Sequence, residues 1–146
     1  PKVILAGRKL NDSMKKIVAK NLINTLKEKG IKIENCKILI MGLTFKENCP
    51  DTRNSLILDV CKFLLKKNLR VDALDPWIKD REIIKDKNFK LIENPRCAHY
   101  DAIIIAVKHR QFFKFRKKLI KSWCQKKHVI YDLKYLLKKE ETDIRL

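Results

Sequence analysis

Glycine is scarce. The 146 residues contain only three, and these never gather into a G-x-G-x-x-G turn. A self-contained dinucleotide site needs that trio for a tight turn, close approach to a pyrophosphate and helix packing. Cysteine is sparse and scattered: Cys36, Cys49, Cys61, Cys97 and Cys124 form no C-x-x-C pair. An odd, irregular set excludes a disulfide framework and a thiolate zinc site. It predicts buried free thiols in a reducing, cytoplasmic setting. No apolar run approaches the ~20 residues of a membrane span, so no membrane partner is expected. The opening Pro1-Lys-Val-Ile-Leu-Ala6 is too short and too soon charged for a signal peptide. Acidic residues are also in short supply, with 17 against 35 Lys plus Arg and a net charge of +18. The excess is spread along the chain and no nucleic-acid reader motif accompanies it, which disfavours nucleic acid while leaving a small anionic ligand attractive.

The most informative stretch runs from Lys37 to Ser55. Ile38 to Met41 is the apolar run of a buried parallel strand. Gly42 permits a sharp turn with close backbone approach. Phe45 and Lys46 then follow before a helix can start. Pro50 disfavours helix at Cys49, and Asp51 offers an oxygen to cap a helix from about Thr52 to Lys67. Strand, glycine turn, polar loop and helix N-terminus together describe an anion-facing loop at the carboxyl edge of a sheet.

Elsewhere the pattern alternates. Residues 1–9 read as loop or short extended chain, and Asn11 or Asp12 is placed to cap a helix to about Lys29. Gly30 stands at its left-handed C′ position. Met14, Ile17, Val18, Leu22 and Leu26 form a stripe that must pack on the following domain or on another chain. Strands are expected at 37–41, 70–74, 101–107 and 128–131, with a short one at 89–92. Residues 56–64 should turn Leu56, Ile57, Val60, Cys61, Phe63 and Leu64 inward. Residues 78–85 read as a weak helical segment. A basic amphipathic helix should carry Phe112, Phe115, Leu119 and Trp123 on one side, and residues 133–139 a short helix before a polar tail. The fold class is therefore α/β: a Rossmann-like three-layer α/β/α arrangement with a parallel sheet, preceded by one long helix.

Ligands on such sheets sit outside the carboxyl ends of the strands. That singles out Gly42 to Arg53, Asp75-Pro76, Lys108-His109 and Asp132. Asp75 could hold a ribose or simply close a turn. An aromatic ring and an ammonium in an exposed loop, Phe45 and Lys46, gain nothing for a core and suit a sugar or base and a phosphate. Arg53 has the wrong sign for a helix start, so it faces an anion or the neighbouring Asp51. His109 and His128 show no partner for a triad or a metal and read as structural or surface residues. Phe112, Phe113 and Phe115 could stack on single-stranded RNA, but helical spacing makes them core contacts first.

Gly42-Leu-Thr-Phe-Lys-Glu-Asn-Cys-Pro-Asp-Thr-Arg-Asn-Ser55 closely resembles the signature of the UDP-glucose/GDP-mannose dehydrogenase family, the nucleotide-sugar dehydrogenases. Ala6 to Met14 resembles that family's entry into its central helix. Val71 to Pro76, Asp101 to His109 and Val129 to Asp132 follow in the family's order. The run Leu43 to Asp51 is most similar to the branch that oxidises UDP-N-acetylhexosamines to uronic acids for surface polysaccharides. The resemblance implies residues 1–30 as the end of a central helical dimerisation region and 31–146 as a C-terminal UDP-sugar-binding domain. Complete members oxidise the sugar C6 alcohol in hydride transfers to NAD, through a catalytic cysteine. Phe45 and Lys46 match the pair that contacts the UDP-sugar. Arg53 matches an arginine that reaches NAD across the domain cleft, and Arg145 is a candidate for a late arginine on the nucleotide sugar.

The NAD fingerprint and the catalytic cysteine loop of that family do not occur in these residues; Cys49 stands in a binding-loop position instead. The resemblance therefore implies a homodimer or a separate N-terminal half as partner, with self-association through apolar helix surface. A repurposed module dimerising through the 12–29 stripe is the other reading. On either reading the purified chain, given a UDP-sugar and NAD, should produce no reduced cofactor, and steady growth of its absorbance would refute this.

Overall fold

A computed structural model describes residues 2–146, apart from the side chains of residues 2 and 4–11. Strands β1 (Lys37–Met41), β2 (Arg70–Leu74), β3 (Phe89–Ile92), β4 (Tyr100–Ile105), β5 (Cys124–Asp132) and β6 (Ile144–Arg145) form one sheet. Its order is β3-β2-β1-β4-β5-β6, and every pairing is parallel. The order reverses between β1 and β4, where doubly wound sheets open a crevice at the carboxyl ends. Helices α1 (Lys2–Glu28), α2 (Leu56–Lys66) and α3 (Lys117–Ser122) supply the outer layers. Among the described residues no helix is long and apolar enough to cross a membrane.

Alternate residues of each strand feed opposite faces. Ile38, Ile40, Val71, Ala73, Ala102 and Ile104 meet α1 and α2 through Val18, Leu22, Leu26, Val60 and Leu64. Leu39, Met41, Ile103 and Ile105 meet Phe112, Ile120 and Trp123 on the other face. The stripe on α1 thus packs on the domain: Val18, Leu22 and Leu26 are fully buried, while Ile17 lies 43% exposed. Leu22, the centre of the supposed dimer stripe, is spent inside the chain's own core. The end of α1 is a Schellman motif, with Ile31 N–H bonded to Leu26 O and Gly30 N–H to Lys27 O, both at 2.9 Å. Gly30 takes φ +75° as expected.

Several expectations are corrected. Helix α1 begins at Lys2 and runs through residues 2–9, so no cap forms at Asn11 or Asp12. Asp12 instead pairs with Lys15, one turn on, at 2.9 Å. Helix α2 begins at Leu56, not Thr52, because Asp51 bonds Arg53 rather than capping a helix, and Asn54 sits at φ +59°. Within α2, Phe63 lies 39% exposed beneath Lys67 and Leu65 takes the buried place. Residues 78–85 form turns, not helix: Asp80 Oδ1 accepts the Glu82 N–H at 3.0 Å, a local bond that competes with helix.

The aromatic helix is broken into a 3-10 turn at Arg110–Phe112 and the short α3. Its rings still stack as core, Phe112 on Phe115 at 5.8 Å and Phe115 against Trp123 at 5.5 Å. Leu119, expected among them, is 43% exposed. Strand β5 is longer than 128–131, beginning at Cys124. Residues 133–138 make no helix, and the expected polar tail supplies β6. Cys36, Cys61 and Cys124 are buried, and burial pushes each thiol up to about 12; Cys49 is half-buried and Cys97 exposed, against expectation.

Gly42 is the tightest point of the chain. It takes φ +93°, and a Cβ there would stand 2.5 Å from Val107 Cβ. At Gly30 the nearest neighbour to a Cβ is Lys127 Nζ at 3.8 Å. Gly42→Ala should therefore cost on the order of 3 kcal/mol through strain and overpacking. Gly30→Ala should cost only about 1 kcal/mol, from backbone conformation alone. Urea unfolding of both variants checks the difference, and equal losses would show that the clash at Gly42 is relieved.

Candidate functional site

The loop between β1 and α2, residues 42–55, stands on the carboxyl edge of the sheet. Its backbone is fixed from several sides. Gly42 N–H extends the pairing to Leu74 O at 2.9 Å. Leu43 N–H donates to Asp75 Oδ2 at 2.7 Å, and Ser55 Oγ donates to Leu43 O at 2.7 Å. Phe45 N–H closes the loop on Asp51 O at 2.8 Å. Ser55 holds the N-cap backbone position of α2, but its hydroxyl is turned to Leu43, so no side chain caps the helix.

Beneath the loop lies a buried polar group. His109 is fully buried, Thr44 is 2% exposed and Asp75 is 5% exposed. His109 Nδ1 accepts the Asn48 N–H at 3.0 Å, which assigns the ring proton to Nε2. Nε2 then donates to Asp75 Oδ2 at 3.1 Å, with Thr44 Oγ1 3.3 Å away. Thr44 Oγ1 itself donates to Lys46 O at 2.8 Å. Asn48, at φ +56°, accepts the Arg110 N–H on Oδ1 at 2.8 Å. Asp75 also accepts the Trp77 N–H on Oδ1 at 2.8 Å. This carboxylate is consumed by its own neighbours, so it closes turns and does not hold a ribose.

The result is a rigid pedestal under two exposed side chains. Phe45 is 57% exposed, and Lys46 is exposed with no carboxylate within 4.0 Å among the described residues. Arg53 is exposed and held by Asp51, Nε to Oδ1 at 3.0 Å and Nη2 to Oδ2 at 3.1 Å. The Arg53 hydrogen bonds hold the Asp51 carboxyl below its usual range, and the same pair raises the guanidinium further. Of the two partners considered for Arg53, the acidic neighbour is the one present.

Arg145 lies on the same edge but not beside the loop. It ends β6 opposite Asp132, and β4 and β5 intervene before β1. At the usual strand spacing the separation from β1 is roughly 14 Å. Its guanidinium lies 4.2 Å over the Tyr135 ring and donates from Nη2 to Leu137 O at 3.1 Å. Its Nε is buried without a hydrogen-bond partner among the described residues. Asp132 fixes that neighbourhood as Asp75 fixes the other, accepting the Lys134 N–H at 3.0 Å and the Leu137 N–H at 2.8 Å. Lys108, also at this edge, donates to Tyr135 O at 3.4 Å. His128 bonds Gln125 O and belongs to β5, away from the loop.

Sequence reasoning named Asp75 and His109 separately as strand-end residues and missed their union with Thr44 and Asn48. The available signal was position: Asp75 follows directly on β2 and His109 comes four residues after β4, the two strands that flank β1.

A parallel sheet of this order, with a shaped loop at its switch point, defines a Rossmann-like α/β domain. The profile of the UDP-glucose/GDP-mannose dehydrogenase family, UDP binding domain, matches residues 39–139. The chain is 46% identical over all 146 residues to a UDP-N-acetyl-D-glucosamine 6-dehydrogenase of Salmonella typhi, covering 34% of that protein. It is 39% identical to the enzyme of the same name from Pseudomonas aeruginosa, covering all of this chain and 35% of that one. The chain thus spans about a third of the length of these curated relatives. An NDP-N-acetyl-D-galactosaminuronic acid dehydrogenase of Methanosarcina mazei shares the fold with TM-score 0.78 at 23% identity, over 94% of this chain and 28% of that one. This chain belongs to the UDP-glucose/GDP-mannose dehydrogenase family, and most of it is that family's UDP-binding domain.

The pedestal carries a consequence for the loop. His109→Leu would strip the Asn48 N–H of its acceptor and Asp75 of a donor, both in a buried setting. A loss of roughly 1–3 kcal/mol is expected. Amide hydrogen exchange at Asn48 and Phe45 should accelerate while Leu39, in mid-strand, keeps its protection relative to the global stability. Unchanged exchange at Asn48 would show that His109 does not hold the loop.

Proposed function

We propose that this chain is the nucleotide-sugar-binding part of an NAD-dependent UDP-N-acetylhexosamine 6-dehydrogenase of surface-polysaccharide synthesis. The observation that carries the reading is the 42–55 loop, fixed by its backbone hydrogen bonds, which holds an aromatic ring and an ammonium out to solvent at the carboxyl edge. The 46% identity to a UDP-N-acetyl-D-glucosamine 6-dehydrogenase supports the substrate class. Phe45 covers a sugar or base face, and Lys46 meets a phosphate or sugar oxygen. Arg145 meets the same ligand from the far end of the edge, its planar guanidinium already oriented by Tyr135.

The chain's residues do not form a dinucleotide site of their own. The β1 turn has the single Gly42, and side-chain-bearing Leu43, Thr44 and Phe45 follow where a pyrophosphate needs bare backbone. NAD accordingly belongs to a further part of the complete enzyme, whether on the same polypeptide or on another. Arg53 is the group that reaches toward it, carrying Asp51 as its counter-ion. Residues 1–30 serve as the end of the helical region that joins the two parts, and 31–146 as the domain itself. What this chain contributes to the reaction is orientation of the nucleotide sugar on a fixed loop.

Thermal unfolding with and without UDP-N-acetylglucosamine tests the reading, with UDP and NAD as separate controls. At a hundredfold excess over its dissociation constant, a ligand adds about 2.7 kcal/mol, which is several degrees in a domain of this size. The UDP compounds should give that shift, NAD alone should give none, and Lys46→Ala should remove it. No shift with millimolar UDP-sugar would end the proposal.

A further inference from the structure

The opposite, amino edge of the sheet carries a feature that the proposed function does not use. On the face away from α1 and α2, a recess of about 190 Å³ opens over the starts of β1, β2 and β3. The β3-to-β4 crossover, residues 93–99, has no helix. It crosses as extended chain and turns, so this part of the face is left without the helical cover that α3 gives to β4 and β5. The recess is lined by Lys37, Arg70, Lys87, Lys90 and Arg96. The one carboxylate in the lining is Asp72, and it accepts the Tyr100 hydroxyl at 2.6 Å. Asp101, nearby, is turned to the backbone N–H of Lys37 at 2.8 Å.

Among the described residues none of the five cations has a carboxylate within 4.0 Å, although Lys15, Lys29, Arg53 and Arg81 all do. Cations of one sign gathered in a concave wall repel one another and focus a positive field into the recess. Burial, then Lys37 and Arg96, hold the neighbouring His99 ring below its usual pKa. The amides of Asn88 and Asn94 stand in the same lining and add neutral donors. The floor is firm, because Tyr100 is 1% exposed and belongs to the core.

We propose that this recess binds a small polyphosphate anion, of the size of a diphosphate, through Lys37, Arg70, Lys87, Lys90 and Arg96. Its volume is below the roughly 300–1,000 Å³ of pockets that enclose whole drug-sized ligands, so it takes the phosphate groups and not an entire nucleotide. Arginine forks at Arg70 and Arg96 suit paired phosphate oxygens, and the lysines act as mobile point charges. The site is separate from the proposed sugar site: strand β1 runs between them, from Lys37 at one to Met41 at the other.

The test is titration of the isotopically labelled chain with inorganic pyrophosphate at ~0.15 M salt, where long-range attraction is screened, followed by two-dimensional amide spectra. Saturable shifts are expected at Lys37, Arg70, Asp72 and Lys90, read separately from the 42–55 loop. Arg70→Gln with Arg96→Gln should weaken that binding at least about tenfold, each lost fork being a charged contact. The pair Lys117→Gln with Lys118→Gln should leave it unchanged. Arg70 and Arg96 are exposed, so these substitutions leave the core intact, and the wild-type shift map stands without them. Shifts that never saturate, that scatter over lysines everywhere, or that weaken equally in the Lys117 and Lys118 control overturn the proposal in favour of diffuse counter-ion attraction.

Discussion

One buried carboxylate organises the carboxyl edge. Asp75 stands at the end of β2 and takes hydrogen bonds from Leu43, Trp77 and His109. A carboxylate withdrawn from water is costly unless its lone pairs are met. Here they are met by groups from segments far apart in sequence, so satisfying the charge and joining those segments are one event. The β1 turn, the β2 turn and the chain after β4 therefore share a single fixed point. Phe45 and Lys46 can be exposed without being loose because the backbone around them is bonded at Leu43 to Asp75, at Phe45 to Asp51 O, at Lys46 O to Thr44 and at Asn48 to His109. Asp132 repeats the device at the end of β5, where it shapes the chain that carries Tyr135 under Arg145.

The parts of the fold legible in the sequence were those decided by local pattern. The apolar runs at 37–41 and 101–107 read as buried strands, although the second pairs only over Tyr100–Ile105 and leaves residues 106 and 107 to the loop, and Gly30 marks its helix end by conformation alone. The failures were competitions between local options. Asp12 and Asp51 both look like helix caps, yet one lies inside a helix and the other is occupied by Arg53. Asp80 draws the Glu82 N–H into a turn, which competes with the helical spacing of 78–85. Strand β6 is two residues long and exists only because β5 offers an edge, which no local pattern reports. For the site, the exposed ring and ammonium could be read from residue type, whereas the His109 bonds to Asn48 and Asp75 span separations that only the folded chain brings together.

The charge of the chain is organised by edge more than by total. A net +18 suggests a uniformly basic surface. The structure divides it. At the carboxyl edge the cations are spaced apart: Arg53 is paired with Asp51, Arg145 is held by Leu137 O and Tyr135, and Lys46 is exposed on the loop. At the amino edge several cations crowd a recess whose carboxylates are occupied elsewhere. These are different electrostatic tools. The first gives direction to a single contact, and the second raises the local concentration of multivalent anions.

The end of α1 carries one more consequence. Lys29 Nζ donates to His128 O and to Asp143 Oδ1, each at 2.6 Å, while Asp143 Oδ2 accepts the Ile130 N–H at 2.7 Å. The residue that follows the long helix, the middle of β5 and the residue just before β6 are thus joined at one carboxylate. Arg145 is two positions beyond it. The foot of α1 and the strand that carries Arg145 therefore share one anchor, so the place of β6 at the outer edge depends on where the long helix ends.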